Sequence, residues 1–492
     1  MRLRVIYLAP LLVFVALSAW AFASPVGSSP DDEYHLTSIW CEAAGSSTCL
    51  PGSDSTTRVV PAALLNAHCF AYQPEASAGC QSKYTWTDPT PTELTNLGNF
   101  QGAYPPAYYW TMSAFVGPEI VKSALMMRLA SVAIFVAMTT ALFVLLPEPR
   151  RKTLVWGWLI TTVPLGLFLI PSNNPSGWAV VGVGSAWLAL VGYFERTDKA
   201  RLLLGAIFAL AVLMAAGSRG DAALFSVVAI GVVMLLKFAR TKEFALLSIL
   251  PLLAAAFALG IFATSGQVGT GVAGFDHPAS AAPSTVQATS TGALLAYNLL
   301  KLPYLWTGVF GGWGLGWLDT ELPSIVLWAS SAVFIALGFL GLSRVSWRKV
   351  AAVAGVGALL IAIPVYVLGQ SHEPVGAQVQ PRYLLPLVVL LGGLLVFETR
   401  ARTFALGRVQ IVTLVAALAV SNLVALHTNI RRYVTGTDVA GLNLDARVEW
   451  WWSGPVTPMM VWLAGSLAFV CAIAILIREV AWPLSSVVRG AS

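Results

Sequence analysis

Residues 30–35 form a compact group of ionisable side chains and read Pro-Asp-Asp-Glu-Tyr-His. They follow directly on an apolar stretch of about twenty residues. Carboxylates beside an imidazole can accept a proton from a hydroxyl group or bind a hard divalent cation. In a helix, Asp31 and His35 share a face, and Asp32 lies about 100° round from Asp31. We therefore take Asp31, Asp32 and His35 as candidate catalytic residues, with Asp31 and Asp32 as candidate ligands of Mg²⁺ or Mn²⁺.

The same residues also suit the start of a helix, which is a simpler interpretation. Ser29 can be the N-cap, Pro30 is favoured at the first helical position, and Asp32 completes a capping box. Acidic residues in a first turn also complement the helix dipole. Capping accounts for one or two of the acids but not for the whole group, so both interpretations stay open.

Several other polar residues lie close to the ends of apolar segments. Arg219 and Asp221 follow one such segment, Arg382 and Tyr383 begin another, and Arg128 lies about two turns inside a third. Charges at these depths are costly unless they are paired or functional, and arginine suits phosphate because its guanidinium is a planar fork. The candidate substrate-binding residues are Arg382, Tyr383, Arg219, Arg128 and Tyr104. The alternative for each arginine is snorkelling to the membrane surface or a structural ion pair.

The composition indicates the class of protein that positions these residues. The 492-residue chain is 57% hydrophobic and 11% charged, with a mean hydropathy of +0.74, whereas soluble proteins carry roughly 25% charged residues. We therefore expect an all-α integral membrane protein, a single polytopic domain over residues 1–492 with about twelve transmembrane helices. The predicted spans are 5–23, 120–146, 153–171, 177–194, 202–217, 222–238, 244–264, 323–342, 350–369, 383–398, 409–427 and 456–477.

Basic residues orient these spans. They concentrate in alternate turns, at 150–152, 196–201, 237–242, 344–349 and 400–408, and the positive-inside rule places those turns in the cytoplasm. Both termini are then cytoplasmic, and the acidic motif lies on the outer face of a plasma membrane. This topology explains the net charge of +6, so no nucleic acid need be invoked. The first span also resembles a cleavable signal peptide; we expect it to be retained, and cleavage would leave eleven spans.

Two external segments are long. The first loop, residues 24–119, contains four of the five cysteines, Cys41, Cys49, Cys69 and Cys80. An even number in an exocytoplasmic loop predicts two disulfides; we favour Cys41–Cys49 and Cys69–Cys80 among three connectivities, with free thiols as the alternative. The second segment, residues 265–322, begins as a small, polar loop and ends as an aromatic, glycine-rich stretch. That stretch predicts an interfacial or re-entrant segment, which either anchors the chain or contacts a lipid substrate.

The order of these short motifs resembles the DUF2142 family of bacterial membrane proteins, a member of the GT-C glycosyltransferase superfamily. The family hallmark Pro-Asp-Glu-x-x-His is matched by residues 30–35, except that Asp32 stands where the family has glutamate. Further matches are Tyr104-Pro105-Pro106-Ala107-Tyr108-Tyr109, Arg128-Leu129-Ala130-Ser131, Ser218-Arg219 and Arg382-Tyr383-Leu384-Leu385-Pro386. The resemblance covers most of the chain, although each motif is short.

The resemblance implies a GT-C-like transferase that moves a sugar from a polyprenyl-phosphate donor to a glycan or lipid acceptor of the cell envelope. By that analogy Asp31 is the base or metal-facing acid, Asp32 is its partner, and His35 either supports these acids from behind or contacts the acceptor. Arg382 holds the donor phosphate, with Arg219 or Arg128 assisting. The alternatives are a transporter or flippase of lipid-linked sugars, or a non-catalytic scaffold of envelope assembly. No nucleotide-binding glycine loop is found in a strand–helix context, so a cytosolic nucleotide-sugar donor is not expected.

Overall fold

Helices occupy all twelve predicted apolar segments. The computed structural model describes residues 5–43, 48–87, 90–267, 269, 290–343, 345–376, 379–398 and 406–481. In chain order the α-helices are α1 Ala9–Phe22, α2 Asp32–Glu42, α3 Ala62–Asn66, α4 Ala107–Ser113, α5 Ile120–Leu145, α6 Glu148–Thr162, α7 Leu165–Leu169, α8 Pro175–Glu195, α9 Ala200–Ala216, α10 Gly220–Lys237, α11 Lys242–Leu247, α12 Ile249–Thr264, α13 Thr291–Thr307, α14 Ser324–Gly341, α15 Trp347–Gln370, α16 Pro381–Val396, α17 Arg408–Val434 and α18 Pro458–Ala481. Short 3₁₀ helices cover Val5–Leu8, Ala78–Lys83 and Gly308–Phe310.

Nine of the helical segments in the described residues are long and apolar enough to cross a membrane. Helices α9 and α16 are apolar but shorter, with 17 and 16 residues. The continuous span predicted over 153–171 is wrong, because α6 ends at Thr162 and α7 begins at Leu165. Pro164 lies between them, and proline cannot supply the amide hydrogen that a continuous helix needs there. The predicted span 244–264 is also interrupted, at Ser248 between α11 and α12. The chain is therefore a multi-pass helical membrane protein in which the predicted span 153–171 is divided at Pro164.

Helices α8 and α16 lie at the centre of the molecule. Within the apolar 18-residue stretch of α8 that could cross a membrane, 94% of the residues are buried inside the protein. Helix α8 packs against α9, α10 and α16. A Cβ atom on Gly182 would lie 2.7 Å from the carbonyl oxygen of Ala211, so glycine permits the close approach of α8 and α9. Helix α16 packs in turn against α6, α8 and α15. The first turn of α16 thus lies in a rigid setting, and it carries Arg382.

The basic turns meet on one face of the bundle, as their alternation predicts. The Arg150 guanidinium donates to both carboxylate oxygens of Glu195 at 2.9 and 3.0 Å, and Lys237 forms an ion pair with the same carboxylate. The Lys349 ammonium donates to three backbone carbonyls at the ends of α14 and α16. Residues 1–4, Arg344 and residues 399–405 lie outside the described residues. The cytoplasmic location of this face stays a prediction.

The first loop (24–119) is a small folded unit. It contains α2, α3 and α4 and an antiparallel sheet of three strands, β1 Leu50–Pro51, β2 Arg58–Pro61 and β3 Thr92–Thr95. Strand β2 is central and pairs with both neighbours, with Val59 opposite Leu94. Both predicted disulfides are confirmed: Cys41 is bonded to Cys49, and Cys69 to Cys80. The first joins the end of α2 to the residue before β1, and the second joins the segment after α3 to the 3₁₀ helix Ala78–Lys83.

An arginine from a late helix holds this loop in place. Arg432 in α17 donates to the carbonyl oxygens of Ala76 and Phe70, at 2.5 and 2.9 Å, and pairs with Asp319 at 2.8 Å. We call Arg432 and Asp319 the loop clamp. Asp319 belongs to the aromatic stretch of 265–322, where α13 is followed by a turn and Trp317 donates to the carbonyl of Gly27 at 2.8 Å. Residues 270–289 lie outside the described residues, and the interfacial position of the stretch stays a prediction.

Candidate functional site

The acidic motif begins a helix two residues later than the sequence predicts. Ser29 is not the N-cap; helix α2 begins at Asp32, and Asp31 is its N-cap residue with φ 62° and ψ 22°. This left-handed conformation is tolerated by aspartate better than by most residues. The turn is closed by a hydrogen bond from the Asp32 amide to the Ser29 carbonyl at 3.1 Å. Asp31 therefore projects from the turn before the helix rather than from its first face.

Asp31 pairs with Arg382 from the far end of the sequence. Arg382 Nη2 donates to Asp31 Oδ2 at 2.7 Å and to the Tyr383 hydroxyl at 3.1 Å. The Arg382 side chain is 4% exposed, whereas that of Asp31 is 45% exposed. Burial alone would raise the pKa of Asp31, but the charge and hydrogen bond of Arg382 outweigh burial and lower it. Asp31 is therefore an ionised carboxylate at neutral pH that solvent or a substrate can reach.

Asp32 points to a different, fully buried place. Its Oδ2 atom accepts from the Ser29 amide at 3.2 Å and lies 3.9 Å from Arg128 Nη2. Burial raises the pKa of Asp32 to about 7, against the opposing charge of Arg128. The Arg128 guanidinium itself donates to the carbonyls of Ser24 and Pro25, at 2.5 and 2.7 Å. The structure thus places Asp32 and Arg128 where they hold the turn that follows α1, away from Asp31.

His35 lies among tyrosines beside Asp31. Its Nδ1 atom shares a hydrogen bond of 2.9 Å with the Tyr109 hydroxyl, and its ring lies edge-on to Tyr104 with centroids 5.4 Å apart. Burial lowers the pKa of His35 to about 3, so the imidazole is neutral at physiological pH. A neutral imidazole fixed by a tyrosine can position a neighbouring group but carries no charge for phosphate.

A second arginine lies in the same aromatic group. Arg219 precedes α10 and donates to both carboxylate oxygens of Asp221, at 2.9 and 2.8 Å. Its guanidinium carbon lies 4.8 Å from the centre of the Tyr383 ring and 5.7 Å from that of Tyr104. Tyr383 therefore contacts both Arg219 and Arg382, at 4.8 and 5.0 Å from its ring centre. The two cations converge on one tyrosine although 163 residues separate them in the sequence (382 minus 219).

A cavity of about 580 Å³ opens beside these residues. Its polar end is formed by Arg219, Asp221, Tyr104, Tyr383 and Gln267. The rest is apolar and is lined by Leu224, Phe225, Phe262, Ile363, Val367 and Leu384. Helix α12 contributes Phe262 to this lining, and α15 contributes Ile363 and Val367. Only 17% and 22% of the apolar 18-residue stretches of these two membrane segments are buried inside the protein. The arrangement can therefore accommodate an amphipathic molecule with an anionic head and an apolar tail that continues into the bilayer.

The carboxylates do not form an obvious cation site. Asp31 and Asp32 each face an arginine, which supplies the positive charge that a bound cation would otherwise supply. Among the residues that the structure describes, no three His, Cys, Asp or Glu side chains converge as metal ligands. The Mg²⁺ or Mn²⁺ ion stays a prediction that this donor set does not favour, and no step below is assigned to it.

Six of the residues selected from the sequence are brought together: Asp31, His35, Tyr104, Arg219, Arg382 and Tyr383. Asp32 and Arg128 are paired with each other elsewhere. The sequence did not single out Tyr109 or the pairing of Asp221 with Arg219. The spacing Arg219-Gly220-Asp221 indicates the second of these, because a carboxylate two residues from a buried arginine often compensates the charge of the guanidinium.

Comparison with known proteins agrees with the predicted family. The family model described as "Predicted membrane protein (DUF2142)" matches residues 13–391. Among solved structures, the chain is similar to ArnT from Cupriavidus metallidurans bound to undecaprenyl phosphate, with 13% identity and a TM-score of 0.44 over 96% of this chain and 77% of that one. A likeness at this level supports no conclusion about activity. No curated protein matches the chain.

Proposed function

Because the chain belongs to the DUF2142 family of predicted membrane proteins, we propose that it is a membrane glycosyltransferase that uses a polyprenyl-phosphate sugar donor. The observation that carries the proposal is that an accessible carboxylate, Asp31, is paired with Arg382, and that Arg382 and Arg219 converge on Tyr383. Tyr383 and Arg219 line a largely apolar cavity. The acceptor is a glycan or lipid of the cell envelope, and the reaction takes place on the outer face of the membrane.

In this proposal the donor lies with its polyprenyl chain in the apolar part of the cavity. Its phosphate meets Arg219 and Arg382, since guanidinium groups bind phosphate oxygens through paired N–H donors. Burial strengthens this attraction, because the effective dielectric constant near the arginines is well below that of water. Tyr383 and Tyr104 pack beside the guanidinium groups and limit their movement. The sugar then extends past Tyr383 toward Asp31.

The transfer step is a displacement at the anomeric carbon. The acceptor hydroxyl oxygen forms the new glycosidic bond while the bond from the anomeric carbon to the phosphate oxygen breaks. The hydroxyl proton passes to the Asp31 carboxylate and then to solvent, which reaches this side chain. The electron pair of the broken bond stays on the polyprenyl phosphate, where Arg382 and Arg219 stabilise the added negative charge. Attack from the side opposite the phosphate inverts the anomeric configuration.

The first experiment compares purified wild type with Asp31→Asn, Arg219→Gln and Asp54→Asn in lipid nanodiscs. Each is incubated with a panel of polyprenyl-phosphate sugars and envelope glycan acceptors, and products are followed by mass spectrometry. Asp54 is an exposed carboxylate of the same loop, hydrogen-bonded to Thr56 at 2.7 and 2.8 Å, and serves as the matched control. We expect transfer by wild type and Asp54→Asn only.

Two other outcomes would replace the proposal. Full turnover by Asp31→Asn would show that this carboxylate is not the base. Binding of the lipid without turnover in any variant would favour the transporter, flippase or scaffold interpretation, with Asp31 reduced to a partner of Arg382. The identity of the sugar follows from whichever donor supports transfer.

A further inference from the structure

We propose that Glu33, His68, Tyr72 and Trp317 form a subsite for a neutral carbohydrate, through which the acceptor glycan approaches Asp31. This inference rests on the proposed transferase function and names the chemistry of its acceptor. We call these four residues the loop subsite. Three of them belong to the first loop, and Trp317 belongs to the aromatic stretch after α13.

Glu33 and His68 face each other without satisfying each other. Glu33 Oε2 and His68 Nδ1 are 4.0 Å apart, and neither atom has a hydrogen-bond partner although each is buried at the atomic level. A buried polar atom without a partner is costly, which points to a missing ligand group or solvent. One hydroxyl oxygen about 2.8 Å from both atoms would satisfy them together.

The pair is better described as two neutral groups than as an ion pair. Burial raises the pKa of Glu33 to about 8, and burial lowers the pKa of His68. Both shifts favour the uncharged forms at neutral pH, so the 4.0 Å distance between Glu33 Oε2 and His68 Nδ1 does not indicate an ion pair. A protonated carboxyl and a neutral imidazole can each donate and accept hydrogen bonds. Hydroxyl groups, which do both, are the ligands that such a pair fits best.

Aromatic rings adjoin this pair. The Trp317 ring packs on His68 with centroids 5.1 Å apart and meets Tyr72 edge-on at 5.5 Å. Tyr72 is 61% exposed and has a φ of 61°, a conformation that is rare for a bulky residue. Its amide donates to Asp319 of the loop clamp at 3.0 Å. A backbone that is held in a rare conformation by a buried carboxylate, and that presents an exposed ring, is more readily explained by binding than by packing.

Charge indicates the class of ligand. Burial raises the pKa of Tyr72, and the charges of the nearby Asp31 and Asp319 carboxylates raise it further, against a smaller opposing effect of Arg382. An acidic ligand such as a uronic acid or a phosphate would be repelled here. Apolar ring faces beside hydrogen-bonding groups are typical of sites that orient a ligand by a few polar contacts. A neutral, polyhydroxylated sugar satisfies both conditions, and the proximity of Asp31 would bring one of its hydroxyl groups to the base.

The test measures carbohydrate and lipid binding separately on the same samples. Fluorescently labelled full-length protein in nanodiscs is applied to an array of neutral, uronic-acid and phosphorylated glycans, and undecaprenyl phosphate binding is measured by native mass spectrometry. The variants are Glu33→Gln, Tyr72→Ala and Tyr72→Phe, with Glu93→Gln as control. Glu93 is an exposed carboxylate of the same loop, 3.3 Å from Asn66 Nδ2.

We expect wild type to bind neutral glycans and not the anionic ones. Tyr72→Ala and Glu33→Gln should weaken that binding at least tenfold, whereas Tyr72→Phe and Glu93→Gln retain it and all variants bind the lipid normally. Binding of only anionic glycans, of no glycan, or of neutral glycans equally by all variants would overturn the subsite. If one of these three results is found and the protein still binds undecaprenyl phosphate, the subsite is wrong and the proposed transferase function stands. If the protein binds glycans but not undecaprenyl phosphate, the polyprenyl-phosphate donor is wrong instead.

Discussion

In the structure described here, Arg382 is already occupied by the carboxylate of Asp31, at 2.7 Å. In the proposed reaction, a donor phosphate must therefore share this guanidinium with a negative charge. We expect Asp31→Asn to bind polyprenyl phosphate more tightly than wild type while losing transfer activity. Asparagine adopts the positive φ of position 31 as readily as aspartate, so the substitution removes the charge without disturbing the turn.

The size of the effect follows from Coulomb's law. A phosphate oxygen and the Asp31 carboxylate on opposite sides of one guanidinium are about 6 Å apart. Two unit charges at that distance repel by about 2.8 kcal/mol at an effective dielectric constant of 20, and by about 0.7 kcal/mol in water. Asp31 is 45% exposed, so the true value lies between these limits. Removing the charge should lower the Kd roughly 3- to 100-fold.

The assay is a titration of undecaprenyl phosphate by native mass spectrometry on wild type, Asp31→Asn, Arg382→Gln and Asp54→Asn. Arg382→Gln should weaken binding, and Asp54→Asn should leave it unchanged. Low salt increases the contrast between wild type and Asp31→Asn, because ions screen partly exposed charges. Unchanged or weaker binding by Asp31→Asn, together with a clear loss in Arg382→Gln, would refute the competition for the guanidinium.

Three further predictions concern stability. Arg432→Ala leaves the Asp319 carboxylate buried without the guanidinium that pairs with it and should lower the free energy of unfolding by about 3–5 kcal/mol. In chemical unfolding, the double variant with Asp319→Ala should recover part of that loss. Cys69→Ser with Cys80→Ser opens a disulfide of sequence separation 11 and should cost about 3 kcal/mol of stability. Reductant should lower the melting temperature of wild type by more than that of the variant, which keeps only Cys41–Cys49. Burial raises the pKa of Asp32 from 3.8 to about 7, so the contribution of this side chain to stability is fully present below pH 4 and is lost as the pH rises to about 7. Wild type should therefore lose stability relative to Asp32→Asn across that interval. Parallel pH profiles of the free energy of unfolding for the two proteins would contradict this.

Local patterns in the sequence predicted most of the fold. Apolar runs of membrane length gave helices in all twelve places, and four cysteines in one loop gave both disulfides. The errors also have local causes. Pro164 lies inside an apolar run, and hydropathy alone does not register the missing amide hydrogen that divides α6 from α7. Asp31 takes a left-handed conformation that shifts the helix start past Ser29, and capping patterns assume an extended N-cap residue.

The site was predictable only where a residue carried its own signal. Arg382 and Arg219 were selected because a charge beside an apolar segment is costly unless it is paired or functional. The structure brings both guanidinium groups to Tyr383. The divergence of the acidic residues was not predictable, because Asp31, Asp32 and Glu33 face partners 351, 96 and 35 residues away (382 minus 31, 128 minus 32, 68 minus 33). Such pairings depend on how distant helices pack, and a single sequence does not encode them in any local spacing.

The loop clamp has a consequence for how the protein is made. The carbonyls of Phe70 and Ala76 are held by an arginine that lies more than 350 residues later in the chain. At about 5–20 residues per second, a ribosome needs about 20–70 s to cover that interval. The disulfide-bonded first loop thus leaves the translocation channel long before Arg432 has been synthesised. A chaperone or oxidoreductase has that interval to act on the loop. A truncated chain that stops before α17 would lack Arg432 and would leave the loop more open to proteases.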